Sequence, residues 1–370
     1  MPKRTTVDEG DEAEPVLAPA APAPPKLIFG PPRHTGSIGG LGFRRIPTVL
    51  GASEILDKAF LRASKISVPG QDAFERTRRS ELGRLRSAQN TIDSVLAKYV
   101  RTFPSFEQLP PFYRDLAKVL LDVDRVRKAL GAIDWARDQI VRVGDEASKR
   151  LSRSRTGEAV REEKRKAYGR ISSLVNQVDK DLKVLNEARN VLRNLPYVDV
   201  DSPAVVIAGY PNVGKSSFLR RVSHAEPEVA PYPFTTKGIG IGHATIRRVK
   251  YQVIDTPGLL DRPLEERNAI EVQAILALKH LADAVVFLLD PSERCGYPME
   301  AQENLLVEVR RLFPDAPFVV AENKVDVAEG RFTGRKDRFR TSTETGEGVA
   351  ELLDAAIGLA AEHRAAAPEA

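Results

Sequence analysis

One cysteine, Cys295, among 370 residues has no second thiol to pair with, which excludes a disulfide framework within the chain. The five histidines are scattered and none stands at ligand spacing from Cys295, so all six residues read as packing or surface positions. Long apolar runs are missing as well: none approaches the roughly 18 residues that a membrane span requires. The N-terminus, Met1-Pro2-Lys3-Arg4, runs into acidic and then Ala/Pro-rich sequence, without the apolar core and small-residue cleavage site of a secretory signal. These absences lead to the expectation of a soluble, cytoplasmic protein with no membrane partner.

What is present divides unevenly along the chain. Residues 1–42 carry 4 basic and 5 acidic groups, net −1; residues 43–200 carry 32 and 21, net +11; residues 201–370 carry 20 and 25, net −5. A basic segment beside an acidic one suggests that the first meets a polyanion while the second does other work. Residues 1–42, rich in Ala, Pro and Gly, hold too little apolar surface to offset ordering entropy and read as a disordered tail.

From Ile46 to Leu195 the apolar residues take helical spacing. Ile92, Val95, Leu96, Tyr99, Val100 and Phe103 form one stripe, and Leu116, Val119, Leu120, Val123, Val126 and Leu130 another. Ile171, Val178, Leu185 and Leu192 stand seven apart in what reads as one further helix, with Val175 and Leu182 widening its stripe for a partner helix. The expectation for residues 43–200 is an all-α bundle or hairpin. Lys149 to Arg170 holds nine basic and three acidic residues and is interrupted at Ser154-Arg155-Thr156-Gly157, which reads as the basic tip of a hairpin. Arg161, Lys164, Arg165 and Lys166 are its candidate RNA contacts. Tyr168 is the only aromatic there, so shape and phosphates are the expected targets more than stacked bases.

Beyond Leu195-Pro196 short apolar runs alternate with helical segments: Ala204 to Ala208, Gln252 to Ile254, Ala284 to Leu289 and Phe318 to Ala321. That alternation predicts an α/β domain over residues 201–361, with a doubly wound, mostly parallel sheet, and leaves 362–370 as a C-terminal tail.

The chemistry lies in this second domain. Gly209-Tyr210-Pro211-Asn212-Val213-Gly214-Lys215-Ser216 matches the G-x-x-x-x-G-K-[ST] phosphate loop between an apolar strand and the helix-like Ser217-Phe218-Leu219. Backbone N–H groups from Gly209 and Asn212 through Ser217 would wrap the phosphates. Lys215 would neutralise the β and γ oxygens, and the Ser216 hydroxyl would ligate Mg²⁺. Asp255-Thr256-Pro257-Gly258 leaves the strand Gln252 to Ile254, so Asp255 can hold Mg²⁺ while the Gly258 N–H contacts the γ-phosphate. Between these two motifs lies Pro233-Phe234-Thr235-Thr236, of which Thr236, more than Thr235, is expected to reach Mg²⁺ in the GTP state. Lys215, Thr236 and Gly258 are thus the residues expected at the transferred phosphoryl group. Asn323-Lys324-Val325-Asp326 follows a strand, where doubly wound sheets bind ligands. Asp326 would accept two N–H bonds from guanine that adenine cannot donate, which selects GTP or GDP. Ser342, after the strand Arg338 to Arg340, stands where a backbone contact to the guanine O6 is expected. Leu259 follows Gly258, where many signalling GTPases place a water-orienting glutamine, so intrinsic hydrolysis is expected to be slow.

Taken together, the phosphate loop, Pro-Phe-Thr-Thr-Lys, Asp-Thr-Pro-Gly-Leu-Leu-Asp-Arg-Pro and Asn-Lys-Val-Asp resemble the Obg-related GTPases. Within that group, Asp290-Pro291-Ser292-Glu293-Arg294-Cys295-Gly296-Tyr297 and Phe43-Arg44-Arg45-Ile46-Pro47 resemble the nucleolar GTP-binding protein 1 family, over about residues 43 to 361. The resemblance implies a GTPase switch in assembly of the large ribosomal subunit, with the helical domain against ribosomal RNA. The eukaryotic members' long C-terminal extension has no counterpart in this sequence, which is therefore similar to the archaeal form. The resemblance also gives Asn212 a role, holding a potassium ion beside the phosphates. A GTP-dependent RNA- or protein-binding scaffold with negligible turnover is the alternative reading.

Overall fold

The computed structural model describes residues 41–366 apart from Phe234, Thr236, Lys237 and Arg247. Residues 1–40 and 367–370, and with them nearly all of the expected N-terminal tail and the last four residues of the C-terminal one, lie outside the described residues, as does the magnesium candidate Thr236.

Helix α1 (Leu41–Arg44) leads into α2 (Ala52–Ser64), α3 (Ala73–Thr102), α4 (Pro111–Leu120), α5 (Val123–Arg153), α6 (Gly157–Gln177) and α7 (Asp179–Arg193). Side-chain oxygens take up free N–H groups where three of these begin. Asp72 accepts from Glu75 at 2.6 Å, Asp122 from Arg125 at 2.9 Å and Thr156 from Ala159 at 3.2 Å. On α3 the predicted stripe is buried at Ile92, Leu96, Tyr99 and Phe103. It packs on α5, whose buried face alternates Ile133 and Ile140 with Ala129, Ala136 and Ala147 and so lets the two helices approach closely. α2 covers α3, and α6 and α7 cover α5, which closes an all-α bundle.

Two stripes that read as continuous are broken. Leu121 is extended and Asp122 caps a new helix, so the run from Leu116 to Leu130 belongs to both α4 and α5. The seven-residue stripe from Ile171 to Leu192 leaves the helical ladder at Val178, whose backbone sits at φ −98° and ψ 12°. Here the Asp179 carboxylate turns outward to accept the Ala52 N–H at 2.9 Å, a tie to α2 that a continuous helical pattern does not anticipate. Val178 itself stays buried, so the stripe still covers α5 across the break.

The second half supplies β1 (Ala204–Ala208), α8 (Lys215–Val222), β2 (Glu228–Ala230), β3 (Ile239–Ile246), β4 (Val249–Asp255), α9 (Ala269–Leu278), β5 (Ala284–Leu289), α10 (Met299–Leu312), β6 (Phe318–Glu322), β7 (Arg338–Arg340) and α11 (Val349–Ala366). Its strands form one sheet in the order β2-β3-β4-β1-β5-β6-β7, with β2, β3 and β4 antiparallel and the remaining pairs parallel. β1 and β5 are buried at every residue, as continuous apolar runs demand of central parallel strands. The C-terminal ends of β1, β4, β5 and β6 therefore share one edge, where the motif loops emerge. Helix α11 runs on past 361 to Ala366, because Arg364 anchors it: Nη1 reaches the Asp283 carboxylate at 3.2 Å and Nη2 donates to the Val200 carbonyl at 2.9 Å.

The two halves meet at α4. The buried Tyr113 hydroxyl accepts the Val198 N–H at 2.9 Å and lies 3.1 Å from the Pro196 carbonyl, fixing the connection to β1. The outer face of α4 packs on α9, with Asp115 Oδ2 and His280 Nε2 2.8 Å apart and Phe112 stacked on Tyr232 at 6.5 Å between centroids. Tyr232, buried, donates its hydroxyl to the Ala274 carbonyl of α9 at 2.7 Å.

Candidate functional site

The loop after β1 turns on residues with left-handed backbone: Gly209 at φ 135°, Asn212 at 62° and Gly214 at 109°. Gly214 is required there, since a Cβ would lie 2.2 Å from the Asn323 Nδ2. The loop opens onto α8 and lines a cavity of 550 Å³ together with Pro257, Gly258 and Asp261. Lys215, 6% exposed, donates from Nζ to the carbonyls of Gly209 and Tyr210 at 2.8 and 2.7 Å, so its charge is held inside the loop's own ring. Ser217 follows on the first turn of α8 and also lines the cavity. Asn212 is exposed on the same rim.

Ser216 Oγ donates to Asp255 Oδ2 at 2.5 Å. Asp255 is 2% exposed, and its Oδ1 has no hydrogen-bond partner among the described residues. Burial pushes this carboxyl above the usual carboxylate range, with the Ser216 bond and the Lys215 charge opposing that rise. A buried carboxylate with one unpartnered oxygen beside a hydroxyl fits a hard divalent cation that seeks oxygen ligands. Ser216 and Asp255 are therefore the residues that would hold Mg²⁺.

Asn323 stands in the middle of the site. Nδ2 donates to the Val213 carbonyl at 2.7 Å and to Thr343 Oγ1 at 3.1 Å, while Oδ1 accepts from the Thr343 N–H at 3.0 Å and from Thr341 Oγ1 at 3.2 Å. Fully buried, it staples the phosphate loop to the 341–343 loop instead of presenting its amide to a ligand. Asp326 is exposed, and Ser342 Oγ donates to its carboxylate at 2.6 Å. The Ser342 N–H is committed to the Glu347 carbonyl at 2.9 Å, so Ser342 orients Asp326 through its hydroxyl, and the expected backbone contact to O6 is not on offer from this residue. Arg221 of α8 buttresses the same loop, donating from Nε to the Thr343 carbonyl at 2.9 Å and from Nη2 to that of Glu344.

Asp290 opens the Asp290–Tyr297 motif but has no role legible there, because its charged partner, Lys324, comes from a distant segment. Its buried carboxylate pairs with Lys324 Nζ at 2.6 Å and accepts the N–H groups of Ser292 and Cys295 at 3.0 and 2.8 Å. Burial raises this carboxyl, but the bonds from Lys324 and Ser292 win and hold it below the usual carboxylate range. Lys324 thus ties the Asn323–Asp326 loop to the Asp290–Tyr297 segment. That segment reaches the phosphate loop in turn, with Tyr297 stacked on Tyr210 at 4.1 Å.

On the helical domain the four candidate RNA residues differ in availability. Arg161 is exposed, and no ion pair involves it among the described residues. Lys164 pairs with Glu81 at 2.5 Å with its Nζ over the Tyr168 ring, Arg165 with Glu162 at 2.5 Å, and Lys166 with Glu162 and Glu163 at 3.6 and 3.7 Å. Tyr168 is itself stacked on Phe60 at 4.5 Å. A second basic surface lies between α2 and α3, a groove of 590 Å³ carrying Lys58, Arg62, Arg86 and Lys98. Its α3 side presents Arg86, Asn90, Ser94 and Lys98 at four-residue steps on one face, and among the described residues no acidic one lines it. None of its four cations forms an ion pair among the described residues, a distinction that charge counting along the chain does not register.

Comparison with known proteins agrees with this geometry. The family model of the NOG1 N-terminal helical domain matches residues 43–199, and that of nucleolar GTP-binding protein 1 (NOG1) matches residues 269–326. The chain is 39% identical over 291 residues to an uncharacterized protein of Methanocaldococcus jannaschii, covering 78% of this chain and 81% of that one. It is 35% identical over 330 residues to nucleolar GTP-binding protein 1 of Caenorhabditis elegans, covering 85% of this chain and 48% of the other. With the protein of that name from Encephalitozoon cuniculi it shares 40% identity over 244 residues, 66% of this chain and 46% of the other. The chain thus spans under half the length of these two eukaryotic relatives.

Proposed function

The chain belongs to the nucleolar GTP-binding protein 1 family, and on that premise we propose that it hydrolyses GTP slowly to GDP and phosphate and acts as a switch on precursors of the large ribosomal subunit. The observation that carries the switch is the seat of α4 on Tyr232 and α9. Tyr232 precedes Thr235 and Thr236 along the chain, and α9 follows the segment after Asp255, the two stretches whose arrangement depends on a γ-phosphate in GTPases. A change in either is therefore felt by the helical domain.

Within the site, the loop N–H groups and Lys215 hold the phosphates, Asp326 holds guanine, and Ser342 aims Asp326. Mg²⁺ held by Ser216 and Asp255 would neutralise charge on the transferred phosphoryl group. Leu259 is buried and brings no water-orienting amide to the position after Gly258, which accounts for slow turnover. The same residue supports the second reading, a GTP-dependent scaffold with negligible turnover. Asn212, exposed on the rim of the phosphate loop, is proposed to hold K⁺. Hydrolysis is then several-fold faster in potassium than in sodium, and Asn212→Gly, which keeps the left-handed backbone, abolishes the difference. Equal rates in the two salts with Asn212 intact remove the ion from the account.

For the RNA surface, the α2–α3 groove is better supported than the α5–α6 tip, because three of the four candidate cations there, Lys164, Arg165 and Lys166, are paired with carboxylates. Each phosphate contact steepens the fall of log affinity with log salt by roughly 0.7 to 0.9. Replacing Lys58, Arg62, Arg86 and Lys98 by glutamine should flatten the slope for large-subunit RNA by about 3. Replacing Arg161, Lys164, Arg165 and Lys166 should flatten it by about 1, with GTP affinity unchanged in both variants. A salt series in which the tip variant loses more slope than the groove variant, or in which neither loses any, contradicts the assignment.

A further inference from the structure

Gly258 carries the N–H that a γ-phosphate is expected to meet, and in this structure the donor is taken: it bonds to Asp261 Oδ2 at 2.7 Å. Asp261 lines the same cavity as Lys215 and Ser216, which places a carboxylate on the wall of a site for a highly charged anion. The carboxylate is held from behind by Arg267, whose side chain is 1% exposed and stands 3.7 Å from Asp261 Oδ1. Arg267 also donates from Nη1 to the Gly258 carbonyl at 3.0 Å and from Nη2 to the Arg262 carbonyl at 3.2 Å, so the 258–262 loop is wrapped round one buried guanidinium. The Gly209 N–H fixes the middle of this loop by donating to the Leu260 carbonyl at 3.1 Å. Asp261 is therefore seated by several independent ties rather than swinging freely in solvent.

We propose that Asp261 is a specificity-determining residue that occupies the γ-phosphate's donor and thereby lowers the affinity for GTP relative to GDP. A carboxylate and a phosphate oxygen are both acceptors, and one N–H serves one of them at a time. Both are also negative, so a γ-phosphate entering beside a seated Asp261 meets repulsion as well as a lost donor. GDP ends at the β-phosphate, which the Gly209–Ser217 loop holds, and does not contest Gly258. Displacement of Asp261 by GTP then loosens its hold on Arg267 and with it the loop that leads to α9. Nucleotide discrimination and the signal to α4 thus start from the same bond.

The inference rests on guanine nucleotide binding at this site, and the experiment separates the two. The full chain and its Asp261→Asn and Asp261→Ala variants are titrated with fluorescent GDP and with a non-hydrolysable GTP analogue in Mg²⁺ buffer. A charge-assisted hydrogen bond is worth enough that Asp261→Ala should raise affinity for the GTP analogue about tenfold or more, with GDP affinity unchanged. Asp261→Asn preserves the shape of the loop and should give a rise of the same sign if the alanine variant proves unstable. An unchanged ratio of the two affinities in a folded Asp261→Asn variant overturns the proposal. So does a fall in GTP-analogue affinity, which would make Asp261 a supporter of the γ-phosphate or its cation. Failure of the unaltered chain to bind either nucleotide would remove the nucleotide-site reading itself, a distinct outcome.

Discussion

Asp326→Asn is expected to lower GTP affinity by about 10²- to 10⁴-fold, the loss of two charge-assisted hydrogen bonds at roughly 1.5–3 kcal/mol each. The asparagine amide offers a donor toward one guanine N–H, while xanthine presents a carbonyl in place of guanine's amino group. Affinity for xanthosine triphosphate should therefore rise as affinity for GTP falls. Asp326 is exposed, and the one bond its carboxylate makes among the described residues is to Ser342 Oγ, so thermal stability without nucleotide should barely move. Competition binding with GTP, xanthosine triphosphate and ATP reads all of this at once. A variant that keeps the unaltered protein's preference for GTP over xanthosine triphosphate would mean that the base is recognised elsewhere.

Asp326, Lys215, Ser216 and Asp255 are legible in the sequence because the phosphate and guanine motifs are local, each on a loop directly after an apolar run. Strands β1 and β5 begin and end where the sequence places them, since central strands buried on both faces announce themselves as unbroken apolar runs. Strands β2 and β3 are not legible. Gly240 and Gly242 interrupt β3, and the reason lies in another element: a Cβ at either would come within 2.8 Å of Leu219 on α8. Glycine there marks close packing of helix on sheet, which the local pattern reports only as a loop.

The same division holds in the site. The role of Asn323 as a staple depends on Val213 and Thr343, and that of Asp290 depends on Lys324, pairings that no spacing along the chain reveals. Net charge locates the basic domain but misjudges its availability. Lys164 counts as one positive charge in the sequence, yet in the fold it is bound to Glu81 and lies over Tyr168. Lys58, Arg62, Arg86 and Lys98 form no cluster in the sequence because they come from two helices, and only the packing of α2 on α3 brings them into one groove.

Helix α4 contacts Tyr232, just ahead of Thr235, through Phe112, and His280, just past α9, through Asp115, and its Tyr113 secures the connection between the domains; these contacts are the proposed route of the switch. Coupling of this kind between two sites typically amounts to roughly 5–150-fold in affinity, and it is reciprocal: RNA that favours the GTP state must tighten GTP binding by the same factor. Phe112→Ala removes the contact with Tyr232 while leaving the Asp326 and Lys215 loops intact, and should shrink the coupling without abolishing GTP binding. The most direct test is the affinity of the full chain for large-subunit ribosomal RNA, measured at one salt concentration with a non-hydrolysable GTP analogue and again with GDP. The affinities should differ by at least about fivefold between the two states, and by less in Phe112→Ala. Equal affinities in both nucleotide states would contradict the proposed switch.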